Sequence, residues 1–277
     1  MTYGGAMDPD LSGQVAVVIG GSGVLCGALA RALGRHGAAV VVVGHSRLDR
    51  ARAVADEIVS NGGQAMAAEA DVLSRESLEA LAEQAVAAYG HVDILINGAG
   101  GAKPEATTSE TLLFFDLPKD AVQWVFDLNF LGTFLACQVF GRLMVGRGAG
   151  QIINISSMGA DRPLTRSVAY SAAKAATSNF TQWLAVHVAQ DYSTQIRVNA
   201  ISPGFFLTEQ NRFLLTDQES GDLTPRGRSI INHTPLGRFG APEDLVGTML
   251  WLLSDGAAFV HGIVVPVDGG FSAYGGV

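Results

Sequence analysis

The chain has 277 residues, enough to bury a large core. Hydrophobic residues make up 48% and charged residues 16%, a balance that excludes a disordered chain. A formal net charge of −8 excludes the basic footprint of a nucleic-acid binder, and no Lys/Arg run marks a membrane surface.

Short apolar, β-branched runs alternate along the chain with longer amphipathic segments. Residues 15–19 predict a strand, 25–36 a helix and 40–43 a strand. Residues 48–61 predict a helix, 64–70 a strand and 76–89 a helix. A strand follows at 92–97, then a loop, then a mostly helical stretch at 120–147. Residues 151–156 predict a strand, 168–191 a helix and 196–201 a strand. A helix at 243–253 and a strand at 263–267 complete the pattern. Continuous Val/Ile runs indicate strands buried on both faces, as in a parallel sheet covered by helices. Alternation with helices indicates right-handed crossovers. The expected architecture is α/β, one Rossmann-type doubly wound domain over 1–277 with a seven-stranded parallel sheet. Residues 1–12 are expected to form an arm, and two loops, 101–119 and 204–241, look inserted on the ligand-binding edge.

Cys26 and Cys137 lack metal or redox spacing and are expected to stay reduced in a cytoplasm. No metal site is expected. The first ten residues lack a basic region and an apolar run, so no signal peptide is expected. No apolar stretch reaches the ~18 residues that span a bilayer.

The first strand runs into Gly20, Gly21, Ser22, Gly23, Val24 and Leu25 and then a helix. Glycines let the backbone turn sharply and approach a pyrophosphate held at the helix N-terminus. An ordinary strand–helix turn would look similar, but its place after the first strand favours a dinucleotide. The second strand ends at Gly44, His45, Ser46 and Arg47, with no acid until Asp49. A carboxylate there would hold the ribose hydroxyls of NAD. His45, Ser46 and Arg47 can instead hold a 2′-phosphate, so NADP is expected, with NAD as the alternative. Asp71 and Val72 are candidates for the adenine edge. Asn97, Gly98, Ala99 and Gly100 are candidates for the turn beneath the cofactor ribose.

Tyr170 and Lys174 are four residues apart on a predicted helix, so they share a face. Ser157 precedes Tyr170 by thirteen residues. A neighbouring ammonium and an oxidised nicotinamide are expected to lower the phenol pKa, so that Tyr170 can exchange a proton with a substrate hydroxyl. Ser157 can hydrogen-bond the reacting oxygen. A dinucleotide-binding module without catalysis would usually lack the tyrosine or the lysine, and both are present.

Together with Asn129, Pro203 and Gly204, these residues resemble the short-chain dehydrogenase/reductase family along the whole chain. The resemblance implies that Asn129 joins the catalytic set by holding a water in a relay to Lys174. It implies that Lys174 binds the nicotinamide ribose, and that Pro203, Gly204 and Thr208 close over the nicotinamide. It also implies a homotetramer of dihedral symmetry. Ile19 stands where the family often has threonine, and Val24 and Cys26 where its commonest pattern has glycines. A narrower resemblance, to the D-mannonate oxidoreductase (D-fructuronate reductase) branch, rests on five stretches: 96–101, 114–117, 179–187, 203–212 and 268–274. It implies a keto-sugar acid as substrate; a related polyol or keto-sugar reductase of the gluconate 5-dehydrogenase kind is the alternative. Arg212 is the candidate for the substrate carboxylate, with His233 and Lys103 behind it. Ala102 and Lys103, and the stretch 159–162, depart from that branch.

Overall fold

Val15–Ile19 form β1, and all five residues are buried because helices cover both faces of the strand. The computed structural model describes residues 9–208, 212–217 and 220–276. Residues 1–8 of the expected arm, the lid residues Glu209, Gln210, Asn211, Gln218 and Glu219, and Val277 lie outside the described residues. After β1 come α1 (Val24–Arg35), β2 (Ala39–Gly44), α2 (Leu48–Ser60), β3 (Gln64–Glu69), α3 (Arg75–Tyr89) and β4 (Ile94–Asn97). The second half holds α4 (Lys119–Phe126), α5 (Gly132–Arg147), β5 (Gly150–Ile155), α6 (Val168–Asp191) and β6 (Ile196–Pro203). Short helices α7 (Arg212–Leu215) and α8 (Pro225–Asn232) precede α9 (Val246–Leu253) and β7 (Val264–Val267).

The seven strands lie in the order β3-β2-β1-β4-β5-β6-β7, and every pairing is parallel. Each side of the sheet carries its own core. Leu29, Leu33 and Ile58 from α1 and α2 pack on one side with Met249 and Leu253 of α9. Leu78 and Leu81 of α3, Phe140 and Met144 of α5, and Phe180 of α6 pack on the other. Burying a side chain such as Phe140 contributes about 1.5–3 kcal/mol. The strand order reverses between β1 and β4, which opens a crevice at their carboxyl ends.

Three sequence readings gain detail from the structure. The inserted loops are not featureless: 101–119 holds two 3₁₀ turns, and 204–241 holds α7 and α8. The predicted helix at 243–253 begins as a 3₁₀ turn at Pro242–Leu245 and becomes α-helical only at Val246. Finally, a π-turn at Asp127–Leu131 joins α4 to α5. Lys119–Arg147 therefore runs as 29 continuous helical residues, long and apolar enough by length and composition to cross a bilayer. By that measure the expectation that no apolar stretch reaches spanning length does not hold for this helix. In the fold this helix packs against the sheet through Ala136, Phe140 and Met144.

Candidate active site

Gly20 leaves β1 with φ 77, a conformation that a side chain disfavours. A Cβ there would also lie 2.7 Å from the Gly98 carbonyl oxygen. Gly98 leaves β4 beside it, its N–H bonded to the Ile19 carbonyl at 3.0 Å. The two turns thus form a floor of bare backbone at the switch point. Gly23 N donates to Gly20 O at 2.9 Å, and α1 then begins with no side-chain cap. Its first-turn N–H groups, Val24 and Leu25 among them, face the crevice end of the helix and favour an anion. This cradle fits a dinucleotide pyrophosphate.

Ser22 reaches towards the end of β2, where a Cβ on Gly44 would lie 3.3 Å from Ser22 Oγ. His45, Ser46 and Arg47 follow as exposed residues, with no side-chain partner among the described residues. Asp71 is exposed and spends Oδ1 on the Leu73 N–H at 2.9 Å. The Val72 side chain is buried against Gly132, so only its backbone is available to an adenine. Ala99 packs partly on the core. Asn97 meets this turn through its backbone alone. Its side chain is 2% exposed and donates to Asn154 Oδ1 at 2.9 Å, inside the sheet. The alternation of β4 turns Asn97 inward, and only its backbone borders the turn.

That inward asparagine starts a buried polar chain that aligns the catalytic helix. Asn154 Nδ2 donates to Thr181 Oγ1 at 2.9 Å, and Thr181 Oγ1 to the Thr177 carbonyl at 2.8 Å. Thr177 Oγ1 in turn donates to the Asn129 carbonyl at 3.2 Å. Asn129 lies fully buried in the π-turn. Its Nδ2 donates to the carbonyls of Gly101 at 2.7 Å and Val125 at 2.8 Å, and its Oδ1 accepts from Gly101 N at 3.2 Å. The Asn129 side chain therefore clamps the segment that leaves β4.

Ser157, Tyr170 and Lys174 converge above β5. Ser157 follows the strand as the cap of a short 3₁₀ turn, and its Oγ accepts from Gly159 N at 3.1 Å. That bond occupies the oxygen and leaves the hydroxyl proton free to donate into the site. Lys174 is buried, and its Nζ donates to the Ile155 carbonyl at 2.8 Å. Burial pulls the Lys174 ammonium down to about 8. Gly100 lies against this group: a Cβ there would sit 3.3 Å from Lys174 Nζ. The surroundings of the Tyr170 phenol, before any nicotinamide binds, shift it in two opposing ways. Burial pushes it above its ordinary value, and hydrogen bonding with Ser157 offsets part of that rise. The ammonium is turned to Ile155, and its Nζ lies 5.8 Å from the Tyr170 ring centre.

The mouth of the crevice comes from three loops. Pro203 ends β6, and Gly204 N bonds to the Val267 carbonyl at 3.0 Å. Thr208 accepts at its carbonyl from Arg212 N at 2.9 Å. Arg212 itself is exposed on α7. His233 donates from Nδ1 to the Ser229 carbonyl at 2.7 Å and packs beside Phe271 and Tyr274. Phe205 meets Phe271 with ring centres 5.1 Å apart. Arg162 Nε donates to the Ser272 carbonyl at 3.2 Å, tying the loop after Ser157 to the C-terminal segment. These ring and loop contacts carry no spacing signal in the sequence, because each joins residues distant along the chain.

A family model of the short-chain dehydrogenases, described as enoyl-(acyl carrier protein) reductase, matches residues 23–272. The chain is a short-chain dehydrogenase/reductase. It is 50% identical to an uncharacterised oxidoreductase, UxuB, of Bacillus subtilis, covering 97% of this chain and 98% of that one. A solved Haemophilus influenzae protein, described as a candidate D-mannonate oxidoreductase with bound NAD, is 45% identical. It superposes with a TM-score of 0.90 over 97% of this chain and 98% of that one. A candidate NAD(P)-dependent gluconate 5-dehydrogenase of Beutenbergia cavernae, with bound NADP at low occupancy, is 34% identical. It superposes with a TM-score of 0.81 over 95% of this chain and 98% of that one. This short-chain dehydrogenase is thus an NAD(P)-dependent oxidoreductase.

Proposed function

We propose that this enzyme interconverts a keto-sugar acid and an aldonic acid, D-fructuronate and D-mannonate, with NADP(H). The observation that carries the reading is the site's composition. The Ser157, Tyr170 and Lys174 group lies beneath a mouth built from loops 101–119 and 204–241 and the C-terminal segment, the stretches most like the D-mannonate oxidoreductase branch. When bound, the nicotinamide supplies or accepts the hydride at the carbonyl carbon. Ser157 donates to the reacting oxygen. Tyr170 delivers its phenol proton to that oxygen as the C=O bond becomes C–O–H, and takes the proton back in the reverse direction. Lys174 and a water held at Asn129 return a proton to the phenolate. The backbones of Gly20, Gly98 and Gly100, with Pro203, Gly204 and Thr208, hold the cofactor. The reading takes 1–277 as one catalytic domain, with 204–241 as its lid and Arg212 at the rim.

The NADP preference rests on exposed, unpartnered His45, Ser46 and Arg47 and on the missing acid at the end of β2. NAD is the second reading, favoured by the NAD in the Haemophilus relative. A panel of keto-sugar acids and polyols, assayed with both reduced cofactors, tests substrate and cofactor together. Fructuronate with NADPH is expected to give the highest kcat/KM. Arg47→Ala is expected to weaken NADPH by roughly ten- to a hundredfold, the worth of a charge-assisted contact, and to leave NADH unchanged. Equal binding of the two cofactors by the wild type in a fluorescence titration would remove the NADP assignment.

The same reading includes a homotetramer of dihedral symmetry in the cytoplasm. Exposed large apolar side chains support it. Trp183, Val186 and Tyr192 are exposed on or beside α6, and Phe259 and Ile263 are exposed before β7. Two self-complementary faces generate such a tetramer. Light scattering at micromolar concentration is expected to give four times the chain mass of 28.9 kDa, and a monomer would count against it.

A further inference from the structure

An anionic substrate approaches a chain with a net charge of −8, so its carboxylate needs a local cation. Lys103 is half-buried in the segment that leaves β4. Two residues before it, Gly101 is clamped in both directions by Asn129. Just after it, the turn Pro104–Ala106 packs towards the reacting tyrosine: Ala106, Val125 and Ala169 form a small cluster against Tyr170. Lys103 is thus held between the Asn129 clamp and the floor beneath Tyr170. Its ammonium lies 3.8 Å from the centre of the Trp124 ring. A ring face holds an ammonium in place without neutralising it. Among the described residues no carboxylate pairs with Lys103. A half-buried ammonium without an anion has given up part of its hydration, a loss that a charge-assisted bond to an arriving carboxylate offsets.

Three other cations near the mouth are placed differently. Arg212 is exposed on a four-residue helix. Arg238 is taken by both oxygens of Asp244. Arg162 spends its Nε on the Ser272 carbonyl.

We propose that Lys103, poised on the face of Trp124, is the specificity-determining residue that receives the substrate carboxylate. The proposal rests on the keto-acid reading above. It predicts a split in the kinetics of D-fructuronate reduction. Lys103→Met raises KM by roughly ten- to a hundredfold, the loss of one charge-assisted contact, with kcat within about twofold. Lys103→Arg keeps KM within a few-fold. Trp124→Leu, which frees the ammonium but leaves its charge, raises KM by a few-fold. Calorimetry of D-mannonate binding to the enzyme saturated with oxidised cofactor shows the same weakening for Lys103→Met, while cofactor Kd is unchanged.

A purely structural role would lower kcat or weaken the cofactor in Lys103→Met and would not be rescued by arginine, and that pattern overturns the proposal. An unchanged KM for fructuronate in Lys103→Met also overturns it and leaves the keto-acid reading standing. A wild type that reduces neutral ketoses but neither reduces fructuronate nor binds mannonate overturns both.

Discussion

Tyr170→Phe is expected to lower kcat by a thousandfold or more while cofactor Kd stays within about twofold. Proton delivery by a placed side chain contributes roughly 10²–10⁴ in rate, and the proposed mechanism assigns that delivery to the phenol. The ring itself packs against Ala106, Val125 and Ala169, contacts that phenylalanine retains, so the crevice keeps its shape. The direction of the Tyr170 shift adds a second expectation. Burial raises the phenol, so it is protonated at neutral pH before the cofactor binds. Reduction needs that proton and should fail as pH rises through the phenol's pKa. Oxidation needs the phenolate, and its kcat/KM should climb with pH over the same range. Lys174, drawn to about 8 by burial, holds a proton that leaves readily near neutral pH, as a relay requires. Steady-state rates in both directions, with a fluorescence titration of the cofactor, check these points. Turnover of the purified variant within tenfold of wild type would take Tyr170 out of the mechanism.

The parts of this site that could be read in the sequence are those in which local geometry and chemistry coincide. Val15–Ile19 and Ala39–Gly44 are apolar along their whole length because both faces are covered, and length with flanking glycines distinguishes them from helices. Tyr170 and Lys174 share a face because a helix places residues four apart together, and α6 spans the predicted 168–191. What escaped depends on partners far along the chain. Asn97 is the last residue of a predicted strand, and nothing local announces that its side chain reaches Asn154, 57 residues on. Asn129 looks like a polar residue inside a helix, and only the π-turn and Gly101 explain it. Lys103 and Trp124 lie in separate predicted segments, and nothing in either announces the other. The direction of the Tyr170 shift is hidden for a related reason. A helix spacing tells that an ammonium is near, but the bond from Lys174 to Ile155 and the depth of the phenol are tertiary facts.

Gly98→Ala is expected to destabilise the chain and loosen the cofactor, and Cys26→Ala is expected to relieve much of that damage. The family resemblance leads to glycine at position 26, where this chain has Cys26. The structure accommodates the larger residue because Gly98 has no side chain: a Cβ built there overlaps Cys26 Sγ. Neither neighbour can move freely. Gly98 is bonded to Ile19 on the adjacent strand, and Gly27 N, next to Cys26, is bonded to Gly23 O at 2.8 Å. The Gly98→Ala methyl displaces Cys26 Sγ and is expected, in this buried contact, to push the first turn of α1 away from the glycine floor or bend the exit of β4. Overpacking of this kind costs about 1–3 kcal/mol. For a chain of this size each kcal/mol lowers Tm by roughly 2–4 °C. The same displacement moves the N–H groups proposed to hold the pyrophosphate, so cofactor Kd should rise several-fold. Charge plays no part in the contact, since burial pushes the Cys26 thiol up to about 12 and keeps it neutral. Cys26→Ala alone removes one sulfur and costs on the order of 1 kcal/mol of packing. In the double variant the methyl introduced by Gly98→Ala takes the space the sulfur vacates. Melting curves and cofactor titrations of the four proteins give the coupling, expected at about 1–2 kcal/mol in the favourable direction. Strict additivity of the two changes would mean that the contact between Cys26 and Gly98 does not govern how α1 sits on the cofactor floor.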